Sequence, residues 1–221
     1  MRTNKNYEAF LFDLNGTMID DMRYHIGSWH RILNDLGAEI SLERTKEECY
    51  GKNHELLERI FPGRFSEEEK DAMSLQKEQQ YQEAFRPELK LIPGLYDFLV
   101  SAHLKGIKTA IGSAAIRFNI NFVLDGLQIR RYIDAIVSAD DVGLSKPHPE
   151  TFLKCADALK VRAGKCLVFE DAPKGVQSAA AAGMDCVVIT TMHTQEEFMD
   201  RNNIIGFIDS YDDDLVRSLL Q

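Results

Sequence analysis

The chain has 221 residues, 44% of them hydrophobic and 28% charged, the composition of an ordinary globular protein long enough for one domain or for a core with a small inserted module. Its formal charge of −9 argues against a nucleic-acid partner, because binding a phosphate backbone calls for a basic face. No run approaches the ~20 apolar residues of a membrane span and the first residues hold no apolar stretch of signal-peptide length, so the expectation is a cytoplasmic protein with no membrane partner.

In chain order, the first apolar run, Ala9 to Phe12, has the length of a buried strand and ends at the carboxylate of Asp13. Asn15-Gly16 then predicts a turn, since that pair favours positive φ. From Met22 to Pro87 strand signals give way to helix-forming sequence. Ile26, Trp29, Ile32 and Leu33 recur at helical spacing, as do Leu56, Leu57 and Ile60, and Ser66 with Glu69 has capping-box spacing. Pro87 and Pro93-Gly94 punctuate the return to strand-like sequence.

Four more apolar runs follow, Lys108 to Ile111, Ala135 to Val137, Cys166 to Phe169 and Cys186 to Ile189, with helix-like segments between them. Strands alternating with helices predict an α/β fold, a doubly wound parallel sheet covered on both faces, here with an inserted helical module. The boundaries that follow are 1–21 with 88–221 for the α/β core and 22–87 for the helical insertion. The cysteines Cys49, Cys155, Cys166 and Cys186 show no C-x-x-C spacing and read as small buried hydrophobes.

Ligands of an open parallel sheet bind beyond the carboxyl ends of its strands. Asp13 ends the first strand, Ser113 the second in TAIGSAA, Lys146 follows the third in SADDVGLSKPHPE, and Glu170-Asp171 end the fourth in CLVFEDAPKGV. Alone, each reads as a turn, a loop hydroxyl, a surface lysine or a cap on the helix starting near Pro173. Four such residues at four successive strand ends point instead to one site.

These segments resemble the four motifs of the haloacid dehalogenase superfamily, and their order, spacing and inserted helices are similar to its β-phosphoglucomutase-like branch. The resemblance implies a Rossmann-like core with a helical cap that closes over the site, hinged around Thr17 to Arg23 and Arg86 to Pro93. It implies a Mg²⁺-dependent phosphoryl-transfer enzyme acting on a small phosphorylated metabolite of the sugar phosphate class, as a monomer or weak dimer. Asp13 would be the nucleophile that forms an aspartyl phosphate. Lys146 would neutralise the nucleophile and the transferring group, and Ser113 with the backbone at Ala114 would hold phosphoryl oxygens. Asp13, the Asn15 backbone carbonyl, Glu170 and Asp171 would surround the metal. His25, Lys52, His54 and Lys77 would meet substrate from the cap.

Asn15 departs from the family pattern, which has Asp there as general acid and base. An amide can do neither, and losing that catalysis typically costs ~10²–10⁴ in rate. Four readings stay open: a phosphatase whose leaving group needs little protonation, a phosphomutase, an impaired phosphometabolite-binding protein, and a carbon–phosphorus hydrolase using Lys52. The position of a phosphate-gripping arginine in β-phosphoglucomutases is matched here by His54, which favours hydrolysis over mutase chemistry.

Overall fold

The computed structural model describes residues 5–198 and 201–221. The chain divides into two compact units, Met1–Asp20 with Lys90–Gln221, and Asp21–Leu89.

The first unit is built on six parallel strands: β1 (Ala9–Phe12), β2 (Lys108–Gly112), β3 (Ala135–Val137), β4 (Cys166–Glu170), β5 (Asp185–Ile189) and β6 (Ile204–Ile208). Their order is β3-β2-β1-β4-β5-β6, every pair parallel. The chain order reverses beside β1, the position at which open α/β sheets form a ligand crevice.

The central strand shows why the sequence folds this way. All four side chains of β1 are fully buried, and alternation sends them to opposite faces. Ala9 and Leu11 join a cluster with Phe152, Cys155, Val168 and Val176. Phe10 and Phe12 enter an aromatic layer in which Phe10 stacks on Phe98 at 5.0 Å and Phe12 on Phe169 at 5.0 Å. Each buried phenylalanine contributes about 1.5–3 kcal/mol in transfer free energy.

Helices α5 (Leu95–Leu104), α6 (Arg117–Gly126), α7 (Glu150–Leu159), α8 (Pro173–Ala181) and α9 (Asp214–Ser218) accompany the sheet. Phe98 of α5 covers the aromatic face, while Phe152 of α7 and Val176 of α8 cover the other. β6 lies outside the alternation read from the sequence. It is an edge strand, half-buried over most of its length, and its Gly206 leaves room for Leu215, whose Cδ2 lies 2.3 Å from where a Cβ would stand.

The second unit holds α1 (Met22–Asp35), α2 (Leu42–Glu48), α3 (Asn53–Ile60) and α4 (Glu67–Phe85). Trp29, Ile32 and Leu33 pack with Leu56, Leu57 and Phe61. Ser66 caps α4 by accepting from the Glu69 N–H at 3.2 Å, and Glu69 returns a carboxylate to the Ser66 N–H at 2.8 Å. The buried face of α4 is mostly polar: Lys70, Ser74, Lys77, Glu78 and Gln82 are inside with Tyr81 and Phe85. All four cysteines are free thiols, three buried and Cys49 half-buried. Burial pushes the Cys155 thiol up to about 12 and the Cys166 thiol up to about 11. Among the described residues no helix is long and apolar enough to cross a membrane.

Candidate functional site

The two central strands converge on one corner. The β1–β4 ladder continues past β1, where the Asp13 N–H donates to Phe169 O at 3.0 Å and sets Asp13 beside the end of β4. Lys146 reaches the same corner from the loop after β3. Its ammonium donates to Asp13 Oδ1 and to Glu170 Oε1, each at 2.7 Å, and lies 4.6 Å from the centroid of the Phe152 ring. Burial alone would lower the lysine's pKa, but the Asp13 and Glu170 carboxylates outweigh it and the net shift is upward, so the group is an ammonium at neutral pH.

Glu170 has little capacity left. Its Oε2 accepts from the Asp171 and Ala172 N–H groups, both at 2.9 Å, while Lys146 takes Oε1. Gly175, in the first turn of α8, lies directly against it: a Cβ there would stand 1.8 Å from Oε1. Glu170 therefore holds Lys146 in place and shapes the turn from β4 into α8. The loop carrying Lys146 is also fastened by Glu150 of α7, whose carboxylate accepts from the Gly143 N–H at 3.1 Å and the Leu144 N–H at 3.0 Å.

Asp171 faces the turn after β1. Thr17 Oγ1 donates to its Oδ1 at 3.3 Å. Gly16 has φ +74°, and a Cβ there would stand 2.1 Å from Asp171 Oδ2, so conformation and space both demand glycine. Desolvation first, then the Glu170 and Asp13 charges, push the Asp171 carboxyl well above the usual carboxylate range, against the pull of Lys146. Three carboxylates, those of Asp13, Glu170 and Asp171, thus share this corner with one lysine, an excess of acids over cations.

That excess and the donor chemistry suit a divalent cation. Asp13, Asp171 and the Asn15 main-chain carbonyl are hard oxygen donors, and Mg²⁺ is commonly held by one or two carboxylates with the rest of its shell from water and phosphate. Among the described residues no three His, Cys, Asp or Glu side chains form a ready-made metal cluster. A Mg²⁺ here would rest on two carboxylates and one carbonyl, with Glu170 already engaged by Lys146 and the backbone.

The remaining residues singled out in the sequence make contacts of their own. Ser113 follows β2, beside β1 in the sheet; it is buried, and its Oγ accepts from the Ala115 N–H at 3.1 Å, with Ala114 half-buried in the same turn. In the helical unit, Lys77 Nζ stands 2.6 Å from His25 Nδ1 and 3.0 Å from Glu78 Oε1, with 2% of the lysine exposed. His25 Nε2 lies 3.2 Å from Asp21 Oδ2, which also accepts from the Tyr81 hydroxyl. His54 stands between Glu67, at 3.1 Å, and Asp71, at 2.9 Å. Lys52 precedes α3, where its N–H donates to Glu55 Oε2 at 3.0 Å. The structure thus gathers Asp13, Lys146, Glu170 and Asp171 within the first unit and pairs His25 with Lys77 within the second.

Sequence reasoning passed over Thr17, Glu150 and two further hydroxyls at the turn, those of Thr191 and Tyr211. Glu150 closes the quoted segment SADDVGLSKPHPE and Thr17 directly follows the Asn15-Gly16 turn, and those places were the available signal. Thr191 and Tyr211 had none, being 175 and 194 residues from their partners.

Comparison with known proteins agrees with this architecture. The profile of haloacid dehalogenase-like hydrolases matches residues 10–189. The chain is 30% identical over 183 residues to fructose-1-phosphate phosphatase of Escherichia coli, spanning 83% of this chain and 96% of that protein. It is 30% identical over 188 residues to β-phosphoglucomutase of Bacillus subtilis, spanning 81% and 82%. The crystal structure of β-phosphoglucomutase from Clostridium difficile superposes with a TM-score of 0.80 at 31% identity, covering 92% of this chain and 91% of that one. With a parallel sheet of this order and a family match across most of its length, the chain belongs to the haloacid dehalogenase-like hydrolases, as an enzyme of their phosphatase and phosphomutase kind.

Proposed function

We propose that this enzyme hydrolyses small phosphorylated sugars, with Asp13 as the group that attacks phosphorus. One observation carries the reading: the Lys146 ammonium bridges Asp13 and Glu170 at 2.7 Å each, at the carboxyl ends of the two central strands. A cation in that place favours the ionised, nucleophilic form of Asp13 and offsets the negative charge of an arriving phosphoryl group.

In the first step an Asp13 carboxylate oxygen bonds to phosphorus as the bond from phosphorus to the sugar oxygen breaks. The sugar oxygen takes its proton from solvent, because the Asn15 amide has none to give. Water then attacks the aspartyl phosphate, its proton passes to solvent, the bond to Asp13 breaks and inorganic phosphate leaves. Mg²⁺, held by Asp13, Asp171 and the Asn15 carbonyl, would supply charge neutralisation at the phosphoryl oxygens. Ser113 and the Ala114 backbone are assigned to phosphoryl oxygens on the evidence of their place after β2.

The sugar phosphate class is supported by the names of relatives, fructose-1-phosphate phosphatase and, at 25% identity, hexitol phosphatase B of Escherichia coli. Hydrolysis is preferred to mutase chemistry because a mutase must grip a second phosphate. His54 stands in place of the gripping arginine, between Glu67 and Asp71, and Lys77 is engaged by Glu78 of its own helix. The test is phosphate release with Mg²⁺ from a panel of sugar phosphates, by this chain and by Asn15→Asp. Release by both, faster in the variant by about 10²–10⁴, is the expected result. Binding without release in both would reject hydrolysis, and isomerisation of β-glucose 1-phosphate outrunning any release would make the enzyme a mutase.

A further inference from the structure

We propose that Thr191 and Tyr211 are positioning residues of the nucleophile turn, their hydroxyls holding the Gly16 and Thr17 carbonyls and so setting the backbone that carries Asp13 and Asn15. The proposal rests on the reading of Asp13 as the attacking group.

A tight turn leaving a sheet takes its carbonyls out of the ladder, and each still requires a donor. Here two consecutive carbonyls find hydroxyls from distant segments. Thr191, just after β5, donates from Oγ1 to Gly16 O at 2.6 Å. Tyr211, between β6 and α9, donates from its hydroxyl to Thr17 O at 3.1 Å.

Tyr211 is built as a fixed donor. It is 3% exposed, and its ring packs against Phe12, Phe98 and Phe169 with centroids 5.5–6.2 Å apart. Its backbone N–H donates to Pro93 O at 2.9 Å, and the adjoining Gly94 has no room for a Cβ, which would stand 2.6 Å from the Tyr211 carbonyl carbon. Ring and backbone are both held, so the hydroxyl oxygen is fixed within reach of Thr17 O.

The opposite side of the turn is closed by Asp171, which accepts from the Thr17 hydroxyl and lies against Gly16. The turn is therefore clamped between Asp171 and two hydroxyls. Reaction rates fall steeply when a reacting group is misplaced, so loosening one side should slow chemistry without weakening substrate binding.

The test measures steady-state hydrolysis of p-nitrophenyl phosphate with Mg²⁺, and amide hydrogen exchange over residues 14–19, for the parent and for Thr191→Val, Thr191→Ser and Tyr211→Phe. Removal of either hydroxyl is expected to lower kcat roughly tenfold, the worth of one hydrogen bond, with KM unchanged within about twofold. Thr191→Ser keeps the donor and should recover most of that loss. Exchange over 14–19 should quicken in Thr191→Val and Tyr211→Phe while the rest of the sheet stays protected. Parent-like kcat and exchange in both variants, or Thr191→Ser as slow as Thr191→Val, would overturn the proposal. An Asp13→Asn control separates the two readings. Hydrolysis surviving in that control rejects the nucleophile assignment, and the exchange data then still decide whether the hydroxyls hold the turn.

Discussion

Replacing Lys146 by Met removes the ammonium and keeps an unbranched stem. In the parent that ammonium is bonded at 2.7 Å to Asp13 and Glu170, whose side chains are 11% and 2% exposed. Methionine keeps an aliphatic stem of similar length, so the loss is electrostatic, the ammonium's place over the Phe152 ring included. Two nearly dry carboxylates are then left without their shared cation, and removing one partner from a buried ionic cluster costs about 3–5 kcal/mol. Glu170 keeps its two backbone donors and Asp13 touches solvent, which places the expected loss near the lower bound, about 3 kcal/mol. For a chain of this length that is a fall in melting temperature of roughly 6–12 °C. Thermal unfolding followed by circular dichroism in metal-free buffer at about pH 7 measures it directly. A variant that melts with its parent at neutral pH would show that Lys146 does not compensate these carboxylates, and the electrostatic account of the site would fail with it.

Three further outcomes are expected. Gly175→Ala should displace Glu170, since the new methyl would stand 1.8 Å from Oε1, and so cost Lys146 a partner; a drop in melting temperature together with loss of phosphate release checks it. Glu150 is held down to about 2 from its ordinary 4.5 by the Lys154 ammonium and by the Gly143 and Leu144 N–H groups. Its folded-state pKa is the lower one, so its contribution is complete above about pH 4.5 and is lost as pH falls towards 2; urea unfolding across that range should show a shallower acid limb in Glu150→Gln. Tyr81→Phe takes one donor from the buried Asp21 carboxylate and should destabilise the helical unit by about 1–3 kcal/mol, read by exchange of the α1 and α4 amides.

β1 was legible because its evidence is local: four consecutive apolar residues of strand length, followed at once by an acid and an Asn-Gly turn. The same holds for Glu170-Asp171, at the end of a strand that its own composition marks, and for Lys146, in the loop that follows another. β6 escaped because a half-buried edge strand with a glycine inside lacks the continuous apolar run of a central strand, and only the packing of Leu215 into the space at Gly206 explains that residue. The inner face of α4 was hidden for the opposite reason. Lys70, Lys77 and Glu78 carry charges that composition assigns to solvent, yet they are buried because partners from other helices, and neighbours on α4 itself, satisfy them.

Within the site the division follows sequence distance. Residue types and their places at strand ends were determined by the sequence alone, because a parallel sheet delivers every strand's carboxyl end to one edge. Which acid does what was decided only in three dimensions. Glu170 is spent on Lys146 and two N–H groups, Asp171 faces the Gly16 turn, and hydroxyls 175 and 194 residues away hold that turn's carbonyls. Hydrogen bonds are short-ranged and directional, so a residue's partners follow from where the folded chain brings them and leave no trace in the order of the letters.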